Sequence, residues 1–151
     1  MCLEVPIVTP ESGRFEVRLT VTPADIDALG HVNNVVYLRW VQDAAIAHWR
    51  VVATPELRAA LLWVVLRHEI DYKRPAYEGD AILARTWVGE ASRRRFVRYT
   101  ELLRAADGRL LARARTFWCP IDRHTRKAIA VGEEVRTCLL APIPEPSDTE
   151  N

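Results

Sequence analysis

The sequence predicts an α+β domain in which a curved antiparallel sheet of about five strands wraps one long central helix. Three observations predict it. First, residues 34–52 are apolar over most of a helical circumference, with Arg39, Gln42, Asp43 and Arg50 confined to a narrow stripe. Such a helix has to be enclosed by other structure. Second, one strand candidate precedes this helix and four follow it in close succession. Third, the lengths agree: the helix spans roughly 28 Å at 1.5 Å per residue, and a ten-residue strand about 33 Å.

Taken in order, residues 1–12 lack periodicity and read as a loose lead-in. Residues 13–22 alternate strictly, Phe15, Val17, Leu19 and Val21 against Arg14, Glu16, Arg18 and Thr20, which is a half-buried strand. Pro23 ends it, having no N–H for the ladder. A polar turn leads into the long helix, and Thr54-Pro55 then starts a short second helix to about residue 60, a cap followed by proline at the first helical position. Strands follow over 62–73, 80–91, 94–106 and 109–121. Asp107-Gly108 is a hairpin signal, because both residues tolerate positive φ; the preceding turn is expected to begin between Gly89 and Ser92. A short helix over 133–140 precedes a Pro-rich acidic tail, frayed from residue 142. The expectation is a single domain over residues 1–151, with no repeat or linker.

Composition narrows the function classes. With 49% apolar and 27% charged residues, the 151-residue chain has an ordinary globular mix. A net charge of +1 gives no electrostatic case for a nucleic-acid or membrane partner. Cys2, Cys119 and Cys138 are odd in number, without C-x-x-C spacing, which points to a reducing, cytoplasmic setting. No signal layout or membrane-length apolar run is present. His68 with Glu69, or His124 alone, makes no metal set, and no cofactor is expected. The absence of G-x-S-x-G disfavours a serine hydrolase of the α/β class.

The chemistry concentrates in the turn before the helix, where Asp25, Asp27, Gly30, His31, Asn33 and Asn34 are crowded together. Gly30 reaches backbone angles closed to other residues, and Asn33 or Asn34 caps the first helical turn. Carboxylates and an imidazole thus stand before a helix start whose free N–H groups suit an electron-rich substrate atom. Asp25 reads as a turn former. Asp43 reads as the partner of Arg39, one helical turn before it. His48 reads as a satisfied helix-end histidine. Arg93-Arg94-Arg95, with Arg98 nearby, and Arg123, Arg126 and Lys127 are the basic groups. Arginine forks suit phosphate, although alternation would aim Arg94 and Arg95 at opposite strand faces, and a solvated hairpin explains them as well. Trp63, Trp87 and Trp118 serve either subunit packing or an ordinary core.

The run Asp25-Ile26-Asp27-Ala28-Leu29-Gly30-His31-Val32-Asn33-Asn34-Val35-Val36-Tyr37 resembles the D-x-D-x-x-G-H-V-N-N-x-x-Y signature of hotdog-fold acyl thioesterases. These include the 4-hydroxybenzoyl-CoA thioesterase superfamily and the plant acyl-carrier-protein thioesterases. Ile70-Asp71-Tyr72-Lys73-Arg74-Pro75 through Gly79-Asp80 is similar to the group's I-x-Y-x-x-P-x-x-x-G-D, and together the matches cover roughly residues 12–141. The resemblance implies a hotdog fold and hydrolysis of an acyl-CoA thioester. It implies Asp27 as the catalytic carboxylate, base or nucleophile, and the Asn34 N–H as the group polarising the carbonyl. His31 would orient water, hold Asp27 or touch the acyl chain. Gly30, Asn33 and Tyr37 would contact substrate, with Arg94 and Arg95 toward the CoA phosphates. A homodimer or homotetramer is implied, with the pantetheine arm passing between subunits. Capping alone would account for Asp27 and Asn33. The rivals are a non-catalytic acyl-CoA-binding module, an acyl-carrier-protein thioesterase, a hotdog hydratase or dehydratase, and an unrelated helix-plus-sheet fold.

Overall fold

The computed structural model describes residues 14–141 and the backbone of Ile7 and Val8. Its elements run β1 (Ile7–Val8), β2 (Phe15–Thr20), a 3-10 turn (Pro23–Asp25), α1 (Asn34–Val52), α2 (Pro55–Ala60), β3 (Leu61–Tyr72), β4 (Ala81–Ser92), β5 (Arg95–Arg104), β6 (Leu110–Asp122) and α3 (Glu133–Leu140). One antiparallel sheet has the order β1-β2-β4-β5-β6-β3. The sixth strand is the two-residue β1, which pairs Val8 with Phe15 inside the stretch expected to be a loose lead-in. The predicted frayed tail lies outside the described residues.

α1 lies on the inner face of this sheet. Val36, Tyr37, Trp40, Val41 and Ala44 pack with Phe15, Val17, Ile82, Leu102 and Leu111 in the main core. The enclosure is less complete than its composition predicts, since Val35, Ile46 and Val51 are exposed. A smaller cluster at the far end of α1 joins Leu61, Phe96, Val131, Val135 and Leu139.

Gly89 does not begin the β4–β5 turn. It sits in a bulge where the register shifts between Val88 and Ala91. A Cβ there would stand 2.6 Å from the Tyr99 ring, so close approach explains the glycine. The turn itself is Arg93-Arg94, which places Arg94 off the strand, so strand alternation does not set its direction. Gly108 takes φ +71 between β5 and β6, as the Asp-Gly pair requires.

Candidate active site

Between β2 and α1 the chain folds into a miniature hairpin. Ile26 pairs with Val32, the Asp27 N–H donates to the His31 carbonyl at 3.0 Å, and the Gly30 N–H donates back to the Asp27 carbonyl at 3.0 Å. Gly30 closes it with φ +82, a region where a side chain is strained. Asp27 Oδ1 accepts the Leu29 N–H at 2.9 Å. That is a local turn bond, and it occupies only one carboxylate oxygen. Asp25 is the buried anchor: it accepts from the Thr22 N–H at 2.9 Å, the Thr22 hydroxyl at 3.1 Å and Arg39 Nη2 at 2.7 Å. Burial opposes its charge, but the Thr22 and Arg39 hydrogen bonds outweigh that cost and hold its carboxyl below the usual range. Arg39 is therefore the partner of Asp25 and not of Asp43. Asp43 Oδ2 is buried without a partner among the described residues, and burial raises that carboxyl.

The hairpin delivers the chain into α1. Asn33 is the N-cap, its Oδ1 accepting the Val35 N–H at 3.0 Å and its carbonyl the Val36 N–H at 2.9 Å. The Asn34 amide, at the first helical position, has no protein partner among the described residues and points from the positive end of a 19-residue helix. The loop after β3 braces this start. Val32 N–H donates to the Ala76 carbonyl at 2.8 Å, and the Tyr72 hydroxyl donates to the Asn34 carbonyl at 3.1 Å. Tyr37 is buried, its hydroxyl donating to the Arg74 carbonyl and accepting from the Ala76 N–H at 2.9 Å. Both hydroxyl roles are thus spent on the loop, so Tyr37 shapes the site from beneath. His31 is half-buried with Nδ1 3.4 Å from the Val32 carbonyl, and no hydrogen bond joins it to the Asp27 carboxylate among the described residues. Leu29, Val35, Tyr72 and Tyr77 leave large apolar groups exposed nearby.

The structure thus brings Asp27, Gly30, His31, Asn33, Asn34 and Tyr37 into one turn-and-helix start. Arg94 and Arg95 lie elsewhere. The hairpin end of β4 is about 35 Å from its Ala81 end, at ~3.3 Å per residue, and it is the Ala81 end that pairs with Thr20, just before the Asp27 turn. Arg95 lies over the Phe117 ring at 4.8 Å. Arg98, grouped with these arginines by sequence, is 95% buried on the inner face. The strand alternation Phe96, Arg98, Thr100, Leu102 was the signal that would have found it.

Among the described residues no group of side chains could hold a metal, and no helix is long and apolar enough to cross a membrane. A long helix laid on one antiparallel sheet, with a carboxylate hairpin leading into its N-terminal end, defines a hotdog domain. Residues 21–145 match the family model described as the thioesterase-like superfamily, and the chain belongs to that family.

Relatives include the chloroplastic palmitoyl-acyl carrier protein thioesterase of Gossypium hirsutum, 30% identical over 131 residues, 81% of this chain. The chain spans only 20% to 32% of the length of the curated relatives it matches. Among solved structures, a 1,4-dihydroxy-2-naphthoyl-CoA thioesterase from Synechocystis is 25% identical with a TM-score of 0.73, over 83% of this chain and 95% of that one. A 4-hydroxybenzoyl-CoA thioesterase complexed with 4-hydroxybenzoyl-CoA superposes with a TM-score of 0.77 at 17% identity, over 85% of this chain and 99% of that one.

Proposed function

We propose that this protein hydrolyses an acyl-CoA thioester to a free carboxylic acid and CoA at the Asp27–Asn34 turn. The observation that carries the reading is the unpartnered Asn34 amide at the start of α1, with a carboxylate held in the hairpin leading into it. The thioester carbonyl oxygen accepts the Asn34 N–H, which favours the negative charge that grows there during attack. Asp27, with one oxygen left by its turn bond, takes a proton from the attacking water or attacks the carbonyl itself. Collapse of the tetrahedral species breaks the carbon–sulfur bond. On the base route the CoA thiolate takes up the proton that Asp27 removed from water. On the nucleophilic route CoA leaves as a thiolate that solvent protonates, and water then hydrolyses the acyl–Asp27 anhydride to the free acid. Gly30 and Asn33 shape the hairpin wall against which the acyl group lies, and His31 orients the water.

The likeness to the Gossypium carrier-protein enzyme favours acyl-carrier protein as the second reading. A hydrolysis panel across aromatic and aliphatic acyl-CoAs and acyl-carrier proteins tests both. Thiol release from none of them overturns the reading.

The active unit in this reading is a homodimer or homotetramer. β3 is an edge strand of 12 residues with Val64, Leu66 and Tyr72 exposed, a surface that a second copy would cover. In such an assembly one copy's Arg94 and Arg95 serve the nucleotide of a CoA whose thioester lies at the other copy's Asp27. Within one chain the span is too long. A cytoplasmic setting accords with Cys119 and Cys138, both free thiols.

A further inference from the structure

A cavity of ≈ 700 Å³ lies away from Asp27, between the C-terminal half of α1 and the start of β3. Its walls are apolar, with Ala45, Ile46, Trp49, Leu61, Trp63 and Trp118 prominent, and Arg98 lines it. Arg98 is 5% exposed, and no carboxylate pairs with it among the described residues. A buried guanidinium without an anion is costly, so its surroundings matter.

Arg98 Nη1 donates to His48 Nδ1 at 3.1 Å and to the Thr86 hydroxyl at 3.1 Å. Because His48 Nδ1 accepts, the ring proton sits on Nε2, and Nε2 is buried without a partner. The indole nitrogens of Trp63 and Trp118 are buried and unpartnered as well. Arg98 Nε and Nη2 have no protein partner among the described residues. The unmet polar groups on the lining side chains and on His48 are therefore donors; the buried acceptor without a partner among the described residues, Asp43 Oδ2, lies on α1 but does not line the cavity. What is missing is an acceptor, and Arg98 requires it to be anionic.

We infer that this cavity binds a free monocarboxylic acid with an apolar body, its carboxylate on Arg98 and its hydrocarbon along the tryptophans. The volume is that of a small-molecule site. Exposed Arg50, Arg58 and Arg123 also line it and would draw an anion in. His48 lies 14 residues beyond Asn34 on α1, about 21 Å at 1.5 Å per residue. A carboxylate on Arg98 is thus remote from the same chain's thioester position, which makes the cavity a second site within one chain.

The test is calorimetric titration of the full chain with decanoate below its micelle concentration, beside decan-1-ol and decylammonium, with tryptophan emission as a second signal. Decanoate binds saturably, at least about tenfold tighter than decanol, as expected for a charge-assisted contact with a buried guanidinium; decylammonium does not bind. Ile46→Trp, which fills the cavity from an exposed position, abolishes decanoate binding, whereas Asp27→Asn binds it like the parent. Arg98→Met, if it melts as a folded protein, loses the preference for decanoate over decanol. Absence of saturable binding, equal affinity for acid and alcohol in the parent, or decanoate binding that survives Ile46→Trp overturns the inference. Loss of binding in Asp27→Asn would move the carboxylate to the hairpin and overturns it equally. The parent-protein comparison decides the matter even where Arg98→Met does not fold.

Discussion

The two ends of α1 solve opposite problems. At the N-terminal end, polar groups are satisfied within a few residues: buried Asp25 by Thr22, half-buried Asp27 by Leu29 and exposed Asn33 by Val35. The Asn34 amide, at the first position of α1, has no protein partner among the described residues. At the C-terminal end a cation and a histidine are buried, joined across 50 residues of chain by the Arg98–His48 contact, and the buried nitrogens of two half-buried indoles add to the donors left over inside. The open end spares one group for a substrate. The closed end carries a standing electrostatic cost, which is what a ligand would relieve.

If α1 is held to the sheet mainly by its near-end core, Trp40→Ala has the largest effect on stability. Trp40 is 1% exposed and packs edge-on against Tyr37 at 5.4 Å. The substitution should cost about 3–5 kcal/mol in chemical denaturation. An unchanged midpoint would shift the weight of the fold to the far end.

The far end should instead make itself known in acid. Burial, reinforced by the Arg98 charge, pushes His48 down to about 3 from its ordinary 6.5. The folded state keeps the ring neutral while the unfolded chain takes up a proton. Stability is therefore full above about pH 6.5 and falls as pH drops toward 3, by on the order of 3 kcal/mol at pH 4. His48→Gln retains an acceptor for Arg98 and should remove this part of the acid slope. The same slope in both proteins would contradict the buried neutral ring.

A smaller effect separates the two carboxylates of the hairpin. Asp25→Asn weakens the charged contact to Arg39 and should cost about 1–2 kcal/mol while leaving turnover within a few-fold of the parent. A large loss of turnover in this variant with unchanged stability would make Asp25, and not Asp27, the chemical residue.

The contrast also explains what the sequence made legible. Bounds for α1, α2 and α3 follow from caps and periodicity that act over a few residues, and Asn33, Thr54 and Gly132 stand where the helices start. The hairpin of residues 26–32 is equally local, so its residues could be named in advance. The Arg98–His48 network depends on how β5 registers against β4 and β6, which no local pattern fixes, although the strand alternation already turned Arg98 inward. The Arg39 partner was misread for a related reason. The helical spacing offered Asp43, but the fold supplies Asp25, whose carboxylate the Thr22 turn has already oriented. The exposure of Val35, Ile46 and Val51 was hidden by composition, because an apolar helix face looks the same whether the sheet of its own chain or something else covers it.

The central claim is that the hairpin at the near end of α1 carries the chemistry, and the single substitution Asp27→Asn tests it most directly. Asparagine Oδ1 can still accept the Leu29 N–H that Asp27 accepts at 2.9 Å, so the hairpin should survive. Turnover of the best acyl thioester, measured together with thermal stability and substrate binding, should fall by ~10²-fold or more while the melting temperature and affinity stay near those of the parent. A folded Asp27→Asn protein that releases thiol at close to the parent rate would contradict the account.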